Sequence, residues 1–308
     1  MITTRALLFA RSIFVIASVV LSNIVESGAS GSTPKAGLAW PNSNYVNVNQ
    51  FLTTHKVSWY YTWSPYSINA DVEFVPMLWG QSQVNEFAAS IDQTISREHV
   101  TAVLGMNEPQ QSDQSNLTPE QGAQMWKTYL EPLRAKGIRL GSPAPSSAPS
   151  GKVWIQDFLQ ACNGGCTVDF IALHWYDVDA TAFELYVQDF YETFKRPIWV
   201  TEWACQNFND AAKQCSYDDI VRFMNQTQTF MDKAEYVERY AWFGAMENLQ
   251  GVNVDDALMD KAGKINSLGR QYIAAQGIGG ALTARHLSKR TFRTTALSFL
   301  SAILSELL

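Results

Sequence analysis

Between residues 37 and 244 the chain repeats one alternation, and this limits what it can fold into more than any single residue does. A short apolar run that reads as a buried strand is followed by a helical or loop segment that leads to the next run. The strand-like runs are Gly37–Trp40, Val57–Trp63, Phe74–Trp79, Thr101–Met106, Arg139–Ser142, Phe170–His174, Ile198–Thr201 and Arg239–Gly244. Strands buried on both faces read as continuous apolar runs, as parallel strands must. Between them, Val84–Ile95 carries Val84, Phe87, Ala88, Ile91 and Ile95 at a helical period. Thr118-Pro119-Glu120-Gln121 reads as an N-cap, a proline at the first helical position and a capping box. The helix it opens should run to Lys136, with Gly137 as C-cap. Trp154–Ala161, Thr181–Phe194, Tyr217–Lys233 and Leu268–Ala275 supply further helices, and Val46–His55 follows the first strand. Eight strands alternating with helices over roughly 240 residues predict an α/β fold, a single (β/α)8 TIM barrel spanning 35–276. An open doubly wound sheet would need a glycine-rich phosphate turn after its first strand, and none is there.

The ends differ from this region. Arg5 and Arg11 precede an apolar run, Ile13–Leu21, that is short for a membrane span and suits a secretory leader. The leader is expected over residues 1–30, with cleavage between 22 and 32. Residues 281–308 form a basic and then apolar tail; an anchor signal, an amphipathic packing helix and an unordered end all fit it. Membrane association is expected only if that tail is an anchor. An exported chain meets oxidising conditions, and the four cysteines allow three connectivities. The shortest loops come from Cys162–Cys166 and Cys205–Cys215, which are the expected disulfides. Asn116-Leu-Thr118 and Asn225-Gln-Thr227 match the N-glycosylation acceptor.

Composition narrows the partner. The formal charge is −6 and the basic residues do not cluster over the central region, so a nucleic-acid groove is not expected. His55, His99, His174 and His286 are scattered, without His-x-His or His-Glu-x-x-His, so no metal and no cofactor is expected. Gly-x-Ser-x-Gly is missing, which argues against a serine hydrolase. Ten Trp and twelve Tyr suit the apolar faces of sugar rings, and several of them fall at strand ends.

Two carboxylates stand out in this setting. Glu108 closes Ala102-Val-Leu-Gly-Met-Asn-Glu108 and Glu202 closes Ile198-Trp-Val-Thr-Glu202. An acid directly after a buried strand is costly to desolvate and needs a reason to be there. On a barrel, working residues sit where strands give way to loops, and two facing carboxylates are the equipment for cleaving a glycosidic bond. Asn107 is placed to hold a sugar 2-hydroxyl. His174 and Tyr176 alternate on the sixth strand and share a face, with Tyr176 expected to donate to Glu202. Trp40, Trp63, Trp79, Trp203 and Trp242 lie at or near strand ends. Trp40, Trp79, Trp203 and Trp242 are taken as substrate-binding, the last with Trp79 as stacking platforms. Trp199, three positions before Glu202, is expected to face outward onto helices.

Four motifs, Gly37-Leu-Ala-Trp40, Gly105-Met-Asn-Glu-Pro109, Ala172-Leu-His-Trp-Tyr176 and Thr201-Glu-Trp-Ala204, together resemble glycoside hydrolase family 128 of clan A. The resemblance covers roughly Lys35 to Ala275. It implies a retaining hydrolase of β-1,3-glucan with Glu108 as acid/base and Glu202 as nucleophile. Gln110 stands where an Asn is frequent after Asn-Glu-Pro, which leaves one polar contact in doubt. The expected protein is a monomeric, secreted, endo-acting hydrolase at the cell wall, with a polysaccharide as its partner. The alternatives are a glycosidase on a β-1,4 or β-1,6 glycan, or a non-catalytic glucan-binding wall protein.

Overall fold

The computed structural model describes residues 34–274. The leader expected over 1–30 and the tail at 281–308 lie outside the described residues. Eight strands follow in chain order: β1 (Ala36–Ala39), β2 (Val57–Tyr61), β3 (Glu73–Phe74), β4 (Ala102–Val103), β5 (Arg139–Leu140), β6 (Ile171–Asp177), β7 (Ile198–Cys205) and β8 (Val237–Trp242). Six pair in the order β3-β2-β1-β8-β7-β6, and β4 pairs with β5. Every one of these pairs is parallel. Single parallel bridges, Met77 with Leu104 and Gly141 with Phe170, join the two pieces. Each strand thus neighbours its predecessor and successor, and β8 returns to β1, the circuit of a (β/α)8 barrel.

The helices are α1 (Val84–Arg97), α2 (Pro119–Met125), α3 (Pro149–Cys162), α4 (Ala180–Phe194), α5 (Tyr217–Lys233) and α6 (Ser267–Tyr272). Thr118 caps α2 with a full capping box. The long helix expected after it does not persist. Pro132 has no N–H to donate and crowds the carbonyl four residues back, so the chain passes through a π turn at Trp126–Leu130 and a 3-10 segment at Glu131–Lys136. Gly137 ends it at φ +79°. Val46–His55 yields only the 3-10 turn Val48–Phe51, whose start Asn47 caps by accepting from the Asn49 amide. Helix α3 begins at Pro149, five residues before the expected start, with proline in its first turn.

Two apolar layers result. The larger lies between strands and helices. The smaller includes Trp59, Phe170, Ala172, Trp199 and Ala241 and fills the barrel interior. Phe170 stacks on Trp199 with centroids 3.8 Å apart. Room for such rings comes from glycine: a Cβ on Gly37 would meet Trp59 at 2.2 Å, and one on Gly141 would meet Phe170 at 2.4 Å. Fully burying each large apolar side chain contributes about 1.5–3 kcal/mol. The disulfides are Cys162–Cys166 and Cys205–Cys215. Among the described residues no helix is long and apolar enough to cross a membrane.

Trp199 corrects the expectation that it packs on helices. Leu173 pairs with Val200 and His174 with Glu202, so Thr201 is an extra residue on β7. The opposite neighbour agrees: Val200 pairs with Tyr240, and Trp203 with Trp242. This bulge resets the alternation. Trp199 and Glu202 therefore both point into the barrel although they are three residues apart.

Candidate active site

Glu202 lies inside β7, which continues to Cys205. Glu108 lies beyond β4, on a segment tied to β5's extension by a single bridge from Asn107 to Ala144. Its amide donates to the Ala144 carbonyl at 2.7 Å. Glu108 has φ +38° and Trp63 φ +52°. Non-glycine residues in that region cost roughly 1–3 kcal/mol and persist where surroundings impose them, often at functional sites.

The two acids meet over His174. Its Nδ1 lies 2.9 Å from Glu108 Oε1 and 3.4 Å from Glu202 Oε2. Ligand-type atoms of all three residues lie within 4.8 Å of one another. Glu202 is fixed by two further donors: Tyr176 Oη to Oε2 at 2.5 Å and Trp63 Nε1 to Oε1 at 2.7 Å. Tyr61 donates to the Thr201 carbonyl at 2.9 Å and pins the bulge from beneath.

The electrostatics follow from this packing. Burial lifts the Glu202 carboxyl above its ordinary range; His174 opposes, Glu108 adds to the lift, and the bonds from Tyr176 and Trp63 hold it down. Burial works against a charged His174, yet the Glu202 and Glu108 charges outweigh it and raise the imidazole. Tyr176 is raised well above the usual phenol, by burial and then by Glu202, so it stays a neutral donor.

A cleft of about 910 Å³ opens over these groups, with Trp63, Trp79, Asn107, Glu108, Tyr176 and Glu202 among its walls. Asn107 gives its amide nitrogen to Gln114 Oε1 at 3.1 Å, while its own Oδ1 is buried and has no partner among the described residues. Gln110 turns away from the acids and donates to Ser146 Oγ at 2.7 Å.

Three of the expected sugar-binding residues are elsewhere. Trp40, Trp203 and Trp242 are completely buried. Trp40 packs edge-on to Phe51 and donates to the Ser43 carbonyl. Trp203 donates to Thr227 on α5, and Trp242 donates to the Asp256 carbonyl while packing against Trp203. Both occupy outward positions of their strands, which is why indole-sized residues fill the sheet–helix layer there. Other cleft residues were not singled out in the sequence, among them Gln111, Gln114, Ser146, Phe208 and Phe243. They sit on loops or past strand ends, where no periodicity marks a direction. Asn116 and Asn225 are exposed.

Comparison with known proteins gives a consistent picture. Residues 37–272 match the family described as glycosyl hydrolase catalytic core. The alkali-sensitive linkage protein 1 of Schizosaccharomyces pombe is 33% identical over 244 residues, 78% of this chain. The match spans 44% of that relative's own length. Solved structures of glycoside hydrolase family 128 superpose on it. A curdlan-specific exo-β-1,3-glucanase from Blastomyces gilchristii is 31% identical at TM-score 0.63, over 78% of this chain and 98% of that one. An endo-β-1,3-glucanase from Amycolatopsis mediterranei, solved with laminaritriose, is 29% identical at TM-score 0.66, over 79% and 100%. An exo-β-1,3-glucanase from Aureobasidium namibiae is 25% identical at TM-score 0.68, over 79% and 97%.

Proposed function

Because this chain belongs to the glycosyl hydrolase catalytic core family, and within it to glycoside hydrolase family 128, we propose that it is a secreted, endo-acting, retaining hydrolase of β-1,3-glucan. One observation carries the mechanism. Two carboxylates converge on one imidazole, and one of them, Glu202, is clamped by two donors.

The donors divide the roles. An indole N–H and a neutral phenol favour the ionised carboxylate over the acid, which supports Glu202 as the nucleophile. Glu108, whose one side-chain bond among the described residues is to His174 Nδ1, is free to carry the proton to the leaving oxygen. Glu202 attacks the anomeric carbon as Glu108 protonates the glycosidic oxygen. In the second step Glu108 takes a proton from water, which releases the sugar from Glu202. Carboxyl oxygens within 4.8 Å of each other support the retaining spacing of about 5–5.5 Å over the inverting one of about 6.5–9.5 Å. The unpartnered Oδ1 of Asn107 is an acceptor for a sugar 2-hydroxyl. Trp79, at the cleft wall, is a stacking platform.

The relatives of known structure include endo- and exo-β-1,3-glucanases, and these support the linkage. The two disulfides support export; exposed Asn116 and Asn225 are the proposed glycan sites, and the cell wall is the proposed location. The test is hydrolysis of laminarin and curdlan set beside β-1,4- and β-1,6-glucans. Mixed short oligosaccharides from β-1,3-glucan, lost in Glu202→Gln, are expected. Activity confined to another linkage, or activity that survives in Glu202→Gln, would sink the reading.

A further inference from the structure

The acids and their donors account for the floor of the cleft but not for Phe208 at its rim. Phe208 lines the cleft and is 59% exposed. A single exposed apolar ring is ordinary by itself; this one stands out because it lines the cleft on a braced loop. The loop is not slack. The Cys205–Cys215 disulfide closes it. The Asn207 amide donates to Gln214 Oε1 at 3.0 Å, and Gln214 Nε2 donates back to the Asn207 carbonyl. Asn207 Oδ1 accepts from the amides of Asn209 and Asp210, both at 2.9 Å. The ring is held out by construction.

It also continues a wall. Phe208 meets Tyr176 edge to face with centroids 5.3 Å apart, Tyr176 meets Phe243 at 5.7 Å, and Phe243 meets Trp63 at 5.9 Å. Two members of this wall, Tyr176 and Trp63, are the donors to Glu202. One aromatic surface thus runs from the proposed nucleophile to the rim.

We propose that Phe208 is the stacking platform of an outer subsite, gripping a glucosyl unit beyond those at the two acids, and that the disulfide-closed loop positions it. A phenyl ring has no polar atom, so it recognises the C–H face of a pyranose and rewards chain length over hydroxyl pattern. The inference rests on the β-1,3-glucan reading above.

The test measures binding to the full chain carrying Glu202→Gln, by calorimetry, with laminaribiose and laminarihexaose. The parent is expected to bind the hexasaccharide more tightly than the disaccharide. Adding Phe208→Ala should shrink that gain by about five- to tenfold, the effect of covering part of a Phe side chain, and Phe208→Trp should restore it. An equal loss at both lengths, or no loss with the hexasaccharide, overturns the inference and leaves the substrate reading standing. A parent that binds neither oligosaccharide, with a wild type inactive on laminarin, overturns both.

Discussion

Trp63 Nε1 reaches across the barrel from the end of β2 and donates to Glu202 Oε1 at 2.7 Å. Trp63 holds φ +52° to do so, and Gln83 Nε2 fastens its carbonyl at 3.1 Å. A hydrogen bond to a charged group contributes about 1.5–3 kcal/mol. The bond helps keep Glu202 ionised and aimed, so Trp63→Phe should lower kcat/KM on laminarin about 10- to 150-fold. Phe keeps most of the packing against Phe243, so melting should move little. A loss confined to KM would show that Trp63 binds sugar without acting on the carboxylate.

The division of labour between the acids predicts different responses to rescue. Glu108→Gln should cost about 10²–10⁴-fold on polymer, the usual contribution of a positioned general acid. An aryl β-glucoside with a good leaving group needs little protonation, so its first step should survive, and added azide should raise turnover and give the β-glycosyl azide. Glu202→Gln should not be rescued this way on the same face. NMR of the first product of the wild type should show the β-anomer. An initial α-anomer would contradict the two-step route.

The barrel was legible in the sequence because apolar runs alternate with helical or loop segments, and Glu108 and Glu202 drew notice because an acid beside a buried strand is conspicuous. The tryptophans show where this reasoning stops. Position at a strand end does not say which way a side chain points: Trp203 and Trp242 point to the helices and Trp63 to the cleft. The bulge at Thr201 inverted the expectation for Trp199, since a one-residue insertion leaves no mark in an apolar run. Loop residues such as Gln114 and Phe208 reach the cleft through long-range packing that no local pattern encodes.

Beneath the site, Arg239 ties the strand floor together. Its guanidinium lies 4.3 Å from the Trp199 ring centroid and bonds Glu73, with side-chain exposures of only 17% and 9%. Removing one partner of such a pair leaves an uncompensated buried charge and costs about 3–5 kcal/mol. Arg239→Ala should therefore lower Tm by roughly 6–20 °C, at about 2–4 °C per kcal/mol for a chain of this size. The double change Arg239→Met with Glu73→Gln should recover much of that loss. Thermal scans of both variants beside the wild type decide it, and an Arg239→Ala protein as stable as the wild type would refute the pairing.

The raised Glu202 carboxyl makes stability depend on pH in a fixed direction. Burial and Glu108 raise its folded value above the ordinary one of 4.5, so the folded state holds this proton more tightly than the unfolded chain does. The stabilisation is fully present below pH 4.5 and is lost as pH rises through the folded value. His174, raised above 6.5, acts in the same sense at higher pH. Gln at position 202 cannot ionise, and it also removes the charge that most favours the His174 cation. The Tm of Glu202→Gln minus that of the wild type should therefore grow between about pH 4 and pH 8 in thermal scans. A wild type that gains on the variant as pH rises would mean a carboxyl depressed by Tyr176, Trp63 and His174. In that case the donors and His174 would outweigh burial and Glu108 together, and the nucleophile would be ionised across that whole range.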